Sequence, residues 1–274
     1  MPVPNLPTFV APFEGALRHR ELIRAVVRRE FISRFRGSLL GSAWAVLSPL
    51  VMLLTYTVLF SITVPQLSTG MSVTDYASGI FIGLIVFNLF SELAYRAPML
   101  LHEHVNFIKR SIFPSETIAW TATIRAFTYS GVAFGVYIAF RIVTAGMLPL
   151  TIVLTPLLVV PFALMTLGIV WFLMALGAFT RDVAHIMASI VPVLMFATPI
   201  FYRLDQIEKM SPSTAFWLRL NIVGEYVEML RDVALDGNLP NVFSYAVLVI
   251  VSYGIFIGGY HFFMRYKSVI VDVI

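Results

Sequence analysis

Long apolar runs separated by short polar segments make up the chain from residue 44 onward. A run of about 20 apolar residues is long enough for a helix to cross the ~30 Å hydrocarbon core of a bilayer. The pattern predicts six spanning helices, at about 44–64, 79–97, 115–140, 150–179, 186–202 and 242–264. We therefore expect an all-α polytopic membrane protein.

We expect a single membrane domain with three parts. These are a cytosolic tail and interface helix (1–43), a six-helix transmembrane region (44–264) and a second cytosolic tail (265–274). Four prolines before residue 13 predict an extended start. Gly37 and Gly41 are expected to let the chain turn into the first span.

The segment 13–35 has the pattern of an amphipathic helix. Leu22, Ile23, Val26 and Val27 form an apolar stripe at helical spacing, and the arginines fall mainly on other faces. Next to a membrane span, such a helix is expected to lie in the headgroup plane, the alternative being an ordinary soluble amphipathic helix. The arginines that we single out as candidate site residues of this interface helix and the turn after it are Arg24, Arg28, Arg29, Arg34 and Arg36.

Three further segments depart from the simple spanning pattern. The fifth apolar run is short and contains Pro192 and Pro199, which suggests adjoining non-spanning structure shielded by protein or water. Segment 203–241 mixes charges with apolar residues at helical spacing, so we expect re-entrant or interfacial helices on the outer side. Segment 98–114 is too short and too charged to span, and we expect a short cytoplasmic helix there.

Charge supports this topology. Only 12% of the residues are charged, against roughly 25% in soluble domains. With both termini inside, 13 of the 19 lysines and arginines fall on the cytoplasmic side, five fall outside and Arg125 lies in a span. This bias follows the positive-inside rule. Because the cations flank apolar runs, nucleic acid is not an expected partner despite the net charge of +4.

Four charged residues interrupt the apolar pattern and are predicted to be intramembrane polar residues: Glu92, Arg125, Arg181 and Asp182. Glu92 and Arg96 are spaced for an i,i+4 ion pair on one helix face. A buried Arg125 requires a partner, for which Glu92 is the candidate. Alternatively, Arg125 extends to the inner interface. The sequence leaves these two alternatives open.

Motifs for independent chemistry are missing from the sequence. No G-x-x-x-x-G-K-[ST] phosphate loop occurs, so ATP is not bound by that route. The chain has no cysteine, and His102-Glu103-His104 lacks the spacing of a helical zinc motif. We expect no catalytic residue, no metal and no cofactor on this chain, so a transporter of this kind would draw its energy from elsewhere.

Six stretches, taken in order, resemble the permease subunits of type-2 ABC exporters of cell-surface polysaccharides, the family that serves O-antigen, capsule and teichoic acid. They are RFRGSLLGSAWAVLSPL at 34–50, NFIKRSIFPSE at 106–116, FTRDV at 179–183, TPIFY at 198–202, LNIVGEYVEMLRDVALDG at 220–237 and VDVI at 271–274. Two departures are Ile222, where the family usually has proline, and Thr180 inside the arginine-aspartate motif.

The resemblance implies a homodimer bound to two copies of a separate ATPase, which would carry ATP and Mg²⁺. A coupling helix at about 102–113 would dock on the ATPase, through His102, Asn106, Phe107, Ile108, Lys109, Arg110 and Phe113. The implied substrate is an undecaprenyl-linked polysaccharide, O-antigen above all. The implied location is the bacterial cytoplasmic (inner) membrane, with membrane lipids around the chain and both termini cytoplasmic.

Aromatic side chains are candidates for a glycan path, because their rings can stack on sugar faces. The candidates are Trp44, Tyr56, Phe60, Phe87, Phe90 and Tyr95. Packed or lipid-facing rings are the alternative for each of them. For the whole chain, the alternative functions are an ABC permease for small lipids or drugs, and a membrane-embedded enzyme.

Overall fold

The computed structural model describes residues 11–34, 36–63, 72–105 and 114–273. Within these ranges the chain consists of helices joined by turns. The α-helices are α1 (Ala11–Arg18), α2 (Arg20–Ser33), α3 (Trp44–Thr63), α4 (Val73–Arg96), α5 (Leu100–Glu103), α6 (Glu116–Ala145), α7 (Thr155–Phe179), α8 (Asp182–Ala197), α9 (Leu204–Met210), α10 (Pro212–Arg219), α11 (Ile222–Arg231) and α12 (Val242–Val273). 3₁₀ turns lie at Gly41–Ala43, Ala97–Met99 and Leu150–Leu154, and a π-helical turn at Asp232–Asp236.

Five helical segments among the described residues are long and apolar enough to cross a membrane. They are Gly41–Ile62, Val73–Glu103, Glu116–Ala145, Leu150–Phe179 and Val242–Ile270. The predicted fifth span corresponds to α8, which has 16 residues and is shorter than the ~20 residues that a crossing helix needs. The all-helical, multi-span architecture is confirmed, and a sixth crossing stays a prediction.

Local capping shifts several boundaries from their predicted positions. α4 begins at Val73, ahead of the predicted Gly79, because the Ser72 hydroxyl accepts a hydrogen bond from the Asp75 backbone N–H at 3.1 Å and caps the helix. α6 continues to Ala145, where Gly146 ends it with φ of 74°. The predicted helix over 13–35 is divided at His19 into α1 and α2.

The interface helices are held on the bundle by aromatic packing. Phe13 of α1 lies 6.0 Å from Trp120 of α6 and 5.2 Å from Phe256 of α12, ring centroid to centroid. Phe31 of α2 stacks on Tyr129 of α6 at 4.9 Å. α1 and α2 therefore lie along α6 rather than extending free of the bundle.

α4 is the centre of the bundle, whereas α3 is at its edge. In the most apolar stretch of the segment Val73–Glu103, which contains α4, 78% of the residues are buried. In the corresponding stretch of Gly41–Ile62, which contains α3, only 6% are buried. α3 thus presents an apolar surface that suits lipid or a partner helix. The chain enters α3 through a turn in which Gly37 and Gly41 have φ of 81° and 49°. This confirms the turning role predicted for the two glycines.

α7 and α12 form the closest helix pair. A Cβ atom at Gly259 would overlap the carbonyl oxygen of Gly168, and a Cβ at Gly168 would overlap that of Ile255. Small residues allow such close approach between membrane helices. Gly177 allows a similarly close approach further along α7, where a Cβ would overlap the carbonyl oxygen of Pro98. The turn that leads to α5 is therefore packed directly on α7.

Candidate functional site

Charged side chains from four elements meet where α2, α4, α5 and α6 converge. We call this group the inner charge cluster, and its members are Glu30, Glu92, Arg96, Glu103, His104 and Arg125. It joins the interface helix, the second and third spans and the start of the predicted coupling segment.

Arg125 is the centre of this cluster. Its Nη1 atom donates to Oε2 of Glu30 at 2.8 Å, and its Nη2 atom donates to Oε1 of Glu92 at 3.2 Å. The Arg125 side chain is 8% exposed, and a charge so far from water needs such partners. The structure therefore decides between the two alternatives for Arg125: it pairs with Glu92 and with Glu30.

The expected pair between Glu92 and Arg96 does not form, so that prediction is wrong. Arg96 instead donates to Glu103 at 2.9 Å and lies 3.6 Å from Glu30. Oε1 of Glu92 lies 3.2 Å from Nη2 of Arg125, and Nη1 of Arg34 lies 3.7 Å from the same oxygen. The physical reason is desolvation: the buried Arg125 gains more from a carboxylate than the half-exposed Arg96 does.

His104 connects α5 to the interface helix. Its Nδ1 atom donates to the Leu100 carbonyl at 2.9 Å, and its Nε2 atom lies 3.4 Å from Oε1 of Glu30. Both ring nitrogens face acceptors, which fits the doubly protonated imidazolium. The hydrogen bond with Glu30 accordingly raises the pKa of His104. Burial would raise the pKa of Glu30, but the hydrogen bond with His104 and the charge of Arg96 together lower it.

Sequence reasoning missed Glu30. Its signal is that it is the last acidic residue before Asp75, inside a stretch that is otherwise arginine-rich. A lone acid in such a stretch is a candidate partner for a buried cation in a neighbouring span. His104 belongs to the 102–104 run that lacks the spacing of a zinc motif, and the structure shows its side chain buried.

Two adjoining clefts open beside the cluster. One, of about 520 Å³, is lined by Glu30, Arg96, Arg125 and Tyr95 among others. The other, of about 270 Å³, extends towards α3 and Trp44. Asn88, Glu92, Arg34 and Tyr129 line both clefts. The Arg34 guanidinium lies 4.5 Å from the centre of the Tyr129 ring, a cation–π contact.

The six aromatic candidates for a glycan path do not form one surface in this structure. Trp44 and Tyr95 are exposed and line the two clefts. Tyr56 and Phe60 on α3 are half-buried and stack at 6.2 Å. Phe87 and Phe90 on α4 are buried in the core of the chain.

The other predicted site residues lie at three places. Arg24, Arg28, Arg29 and Arg36 are exposed on α2 and the turn after it. Arg181 and Asp182 are exposed at the junction of α7 and α8, outside the apolar spans. His102 is half-buried, with Nε2 at 3.3 Å from the Gly177 carbonyl oxygen. Asn106, Phe107, Ile108, Lys109, Arg110 and Phe113 lie outside the described residues.

A second buried arginine, Arg231, was not predicted. Its guanidinium donates to the carbonyls of Gly79 at 2.8 Å, Pro199 at 2.5 Å and Tyr202 at 3.2 Å, and also to Ile200. It also pairs with Glu228 at 3.0 Å. It therefore joins α11 to the start of α4 and to the irregular segment after α8.

Arg231 had a detectable signal in the sequence. It follows Val227 by four residues and so shares the apolar face of its helix. An arginine on a buried face must find acceptors, and uncapped carbonyls after a proline-broken helix supply them. Burial lowers the pKa of Arg231 and raises that of Glu228.

Among the residues that the structure describes, no group of three or more histidine, aspartate or glutamate side chains is placed to hold a metal ion. The functional candidates among the described residues are the inner charge cluster and the clefts beside it.

Comparison with known proteins gives one family. Residues 21–235 match the model of the ABC-2 type transporter family. The chain is also similar to the O-antigen export system permease protein RfbA of Myxococcus xanthus. They are 23% identical over 235 residues, which is 86% of this chain and 88% of the relative.

Two proteins with the same name from Klebsiella pneumoniae are similar to it as well. One is 23% identical over 222 residues, covering 80% of this chain and 82% of the relative. The other is 22% identical over 250 residues, covering 90% and 92%. The family match spans most of the chain, including nearly all of α2, the inner charge cluster and Arg231, and the chain belongs to the ABC-2 type transporter family.

Proposed function

We propose that this chain is the transmembrane permease subunit of an ATP-driven exporter of lipid-linked cell-surface polysaccharide, with O-antigen as the substrate. The observation that carries the proposal is its similarity, over 80–90% of its length, to three O-antigen export permeases. Family membership supports transport rather than catalysis as its role.

The proposal includes a specific membrane arrangement. In addition to the five long apolar helices, α8 and the residues after it as far as Tyr202 would cross the membrane, which brings the number of crossings to six. Both termini would then be cytoplasmic. The excess of arginine and lysine at the ends so assigned supports this orientation. The chain would act as a homodimer in the bacterial inner membrane, and the exposed apolar surface of α3 supports a helix–helix contact there.

Energy would come from two copies of an ATPase subunit that carry ATP and Mg²⁺. The segment 102–113 would dock on the ATPase through Lys109 and Arg110. We further propose that the inner charge cluster transmits the resulting movement. The supporting contact is His104, which follows α5 directly and reaches Glu30 on the interface helix.

Deletion of the gene in its host tests the substrate. We expect loss of surface polysaccharide and accumulation of lipid-linked glycan in the inner membrane, both restored by the intact gene. Surface polysaccharide that persists, together with new sensitivity to small amphiphiles, would instead support the permease for drugs or small lipids.

Co-purification with the ATPase tests docking. Lys109→Glu should weaken recovery of the ATPase with the permease, because it reverses a charge in the proposed contact. Lys209→Glu is the matched control, because Lys209 is exposed in α9, on the opposite side in the proposed topology. Equal recovery with both variants would contradict docking at Lys109.

A further inference from the structure

A groove between the interface helices and the third span takes no part in the charge cluster. It has a volume of about 770 Å³, within the 300–1,000 Å³ range of ligand-binding pockets. Its walls are Phe13, Ile23 and Val27 on one side and Trp120, Ile124 and Thr128 on the other. We call it the α2–α6 groove.

The walls of the groove are apolar and its rim is cationic. Arg20, Arg24 and Arg28 all line it, and their spacing of four residues places them in a row along one face of α2. Successive members of such a row are about 6 Å apart along the helix axis. No acidic residue lines the groove within the part of the chain that the structure describes.

The arginines of this row form few ion pairs within the chain. Arg24 and Arg28 form no ion pair with any described residue, and Arg20 lies 3.7 Å from Glu21, with both side chains largely exposed. By contrast, Arg34, near the end of the same helix, has contacts with Glu92 and Tyr129. The row therefore leaves a strip of positive charge above an apolar groove.

We propose that the α2–α6 groove is a binding site for an anionic diacyl phospholipid of the surrounding leaflet. The acyl chains would lie against Ile124 and Val27, and the phosphate would meet the arginine row. Charge complementarity selects an anionic headgroup, because basic residues beside a membrane attract anionic lipids. Trp120 on the groove wall fits the depth at which tryptophan is enriched, beside the headgroups.

This site goes beyond the export function, because it concerns a resident lipid rather than the cargo. A bound lipid would fill the space between α2 and α6 and hold the interface helix against the third span. Glu30 and Arg125 lie on the same two helices, so the occupied groove would support the inner charge cluster by holding α2 against α6.

Lipid binding to the full-length protein tests the proposal without any measurement of transport. Purified protein in detergent is titrated with phosphatidylglycerol or phosphatidylcholine, and bound lipid is counted by native mass spectrometry. We expect phosphatidylglycerol to bind more tightly. Because each arginine near a membrane surface contributes about fivefold to such binding, R20Q/R24Q/R28Q should weaken it on the order of 100-fold.

Two further variants test separately how the arginine charges and the apolar groove contribute to lipid binding. R18Q/R181Q/R265Q removes the same charge at exposed positions outside the groove and should leave binding within about twofold of the unmodified chain. I124W fills the groove from an exposed position and should reduce binding of both lipids while the protein remains folded.

Three results would overturn the proposal. They are equal binding of the two lipids, equal loss in the groove and control triple variants, and displacement of phosphatidylglycerol by a polyprenyl phosphate at a tenfold lower concentration. Displacement by the polyprenyl phosphate would assign the groove to a carrier lipid. Equal binding of the two phospholipids is the result expected if a second copy of the chain covers the groove, because neither lipid could then enter it.

Discussion

Arg125 in the third span donates a 2.8 Å hydrogen bond to Glu30 in the interface helix, although 95 residues separate them in the sequence. The contact fastens an amphipathic helix to the centre of the bundle. It also orients the Arg125 guanidinium, whose other terminal nitrogen donates a hydrogen bond to Glu92.

Glu30→Gln tests the stability of this contact. The amide cannot supply the charge that Arg125 and His104 face, so we expect a loss of about 1.5–3 kcal/mol in stability. Thermal unfolding of the purified protein measures the change. Glu21→Gln is the control, since Glu21 lies in the same helix with a side chain that is 79% exposed. A similar melting temperature for both variants would contradict a stabilising role for Glu30.

The His104–Glu30 contact predicts a pH dependence. The pKa of His104 is raised above its ordinary 6.5, so its contribution is complete below that value and is lost as pH rises through the raised pKa. The pKa of Glu30 is lowered from 4.5, so its contribution is lost only as pH falls through the lowered pKa. The contact should therefore be strongest between about pH 4.5 and 6.5.

Melting temperatures of the unmodified chain and of His104→Gln, taken from pH 6 to pH 9, measure this effect. The difference between the two proteins should shrink as pH rises. His19→Gln, a substitution at the junction of α1 and α2, serves as the control. A difference that stays constant across the range would show that His104 acts by packing alone.

Arg231→Met should be severely destabilising, by about 3–5 kcal/mol, because it leaves Glu228 and several carbonyls buried without their donor. Arg219→Met is the matched control in the neighbouring helix. Arg219 also pairs with a glutamate, but its side chain is 47% exposed, so its loss should cost less than about 1 kcal/mol. The yield of monodisperse protein and its melting temperature measure both effects, and equal values would contradict the role of Arg231.

Gly177→Ala should disturb the turn before the coupling segment. The added methyl group would overlap the Pro98 carbonyl oxygen, and overpacking of this kind costs about 1–3 kcal/mol. Gly135→Ala is the control, because a Cβ there meets nothing within 4 Å. We expect a lower melting temperature and weaker ATPase co-purification for Gly177→Ala only. If both variants behave like the unmodified chain, the turn is not held by this contact.

The sequence by itself determined the helical class, most span positions and the family. A long apolar run indicates that a helix is surrounded by lipid or by other apolar side chains, and it can be recognised from neighbouring residues alone. For this reason α3 and the 150–179 segment lie close to their predicted positions. The turn at Gly37 and Gly41 is local in the same sense, since it depends on backbone dihedral angles that glycine adopts readily.

Only the tertiary structure decided which charges pair. Sequence spacing favoured Glu92 with Arg96, but it cannot report how deeply each cation is buried. Arg125 has the less exposed side chain, and it takes Glu92 together with the distant Glu30. The same holds for Arg231, whose acceptors come from α4 and from the segment after α8. The cost of desolvating a charge is set by the whole fold, and so is the choice of its partners.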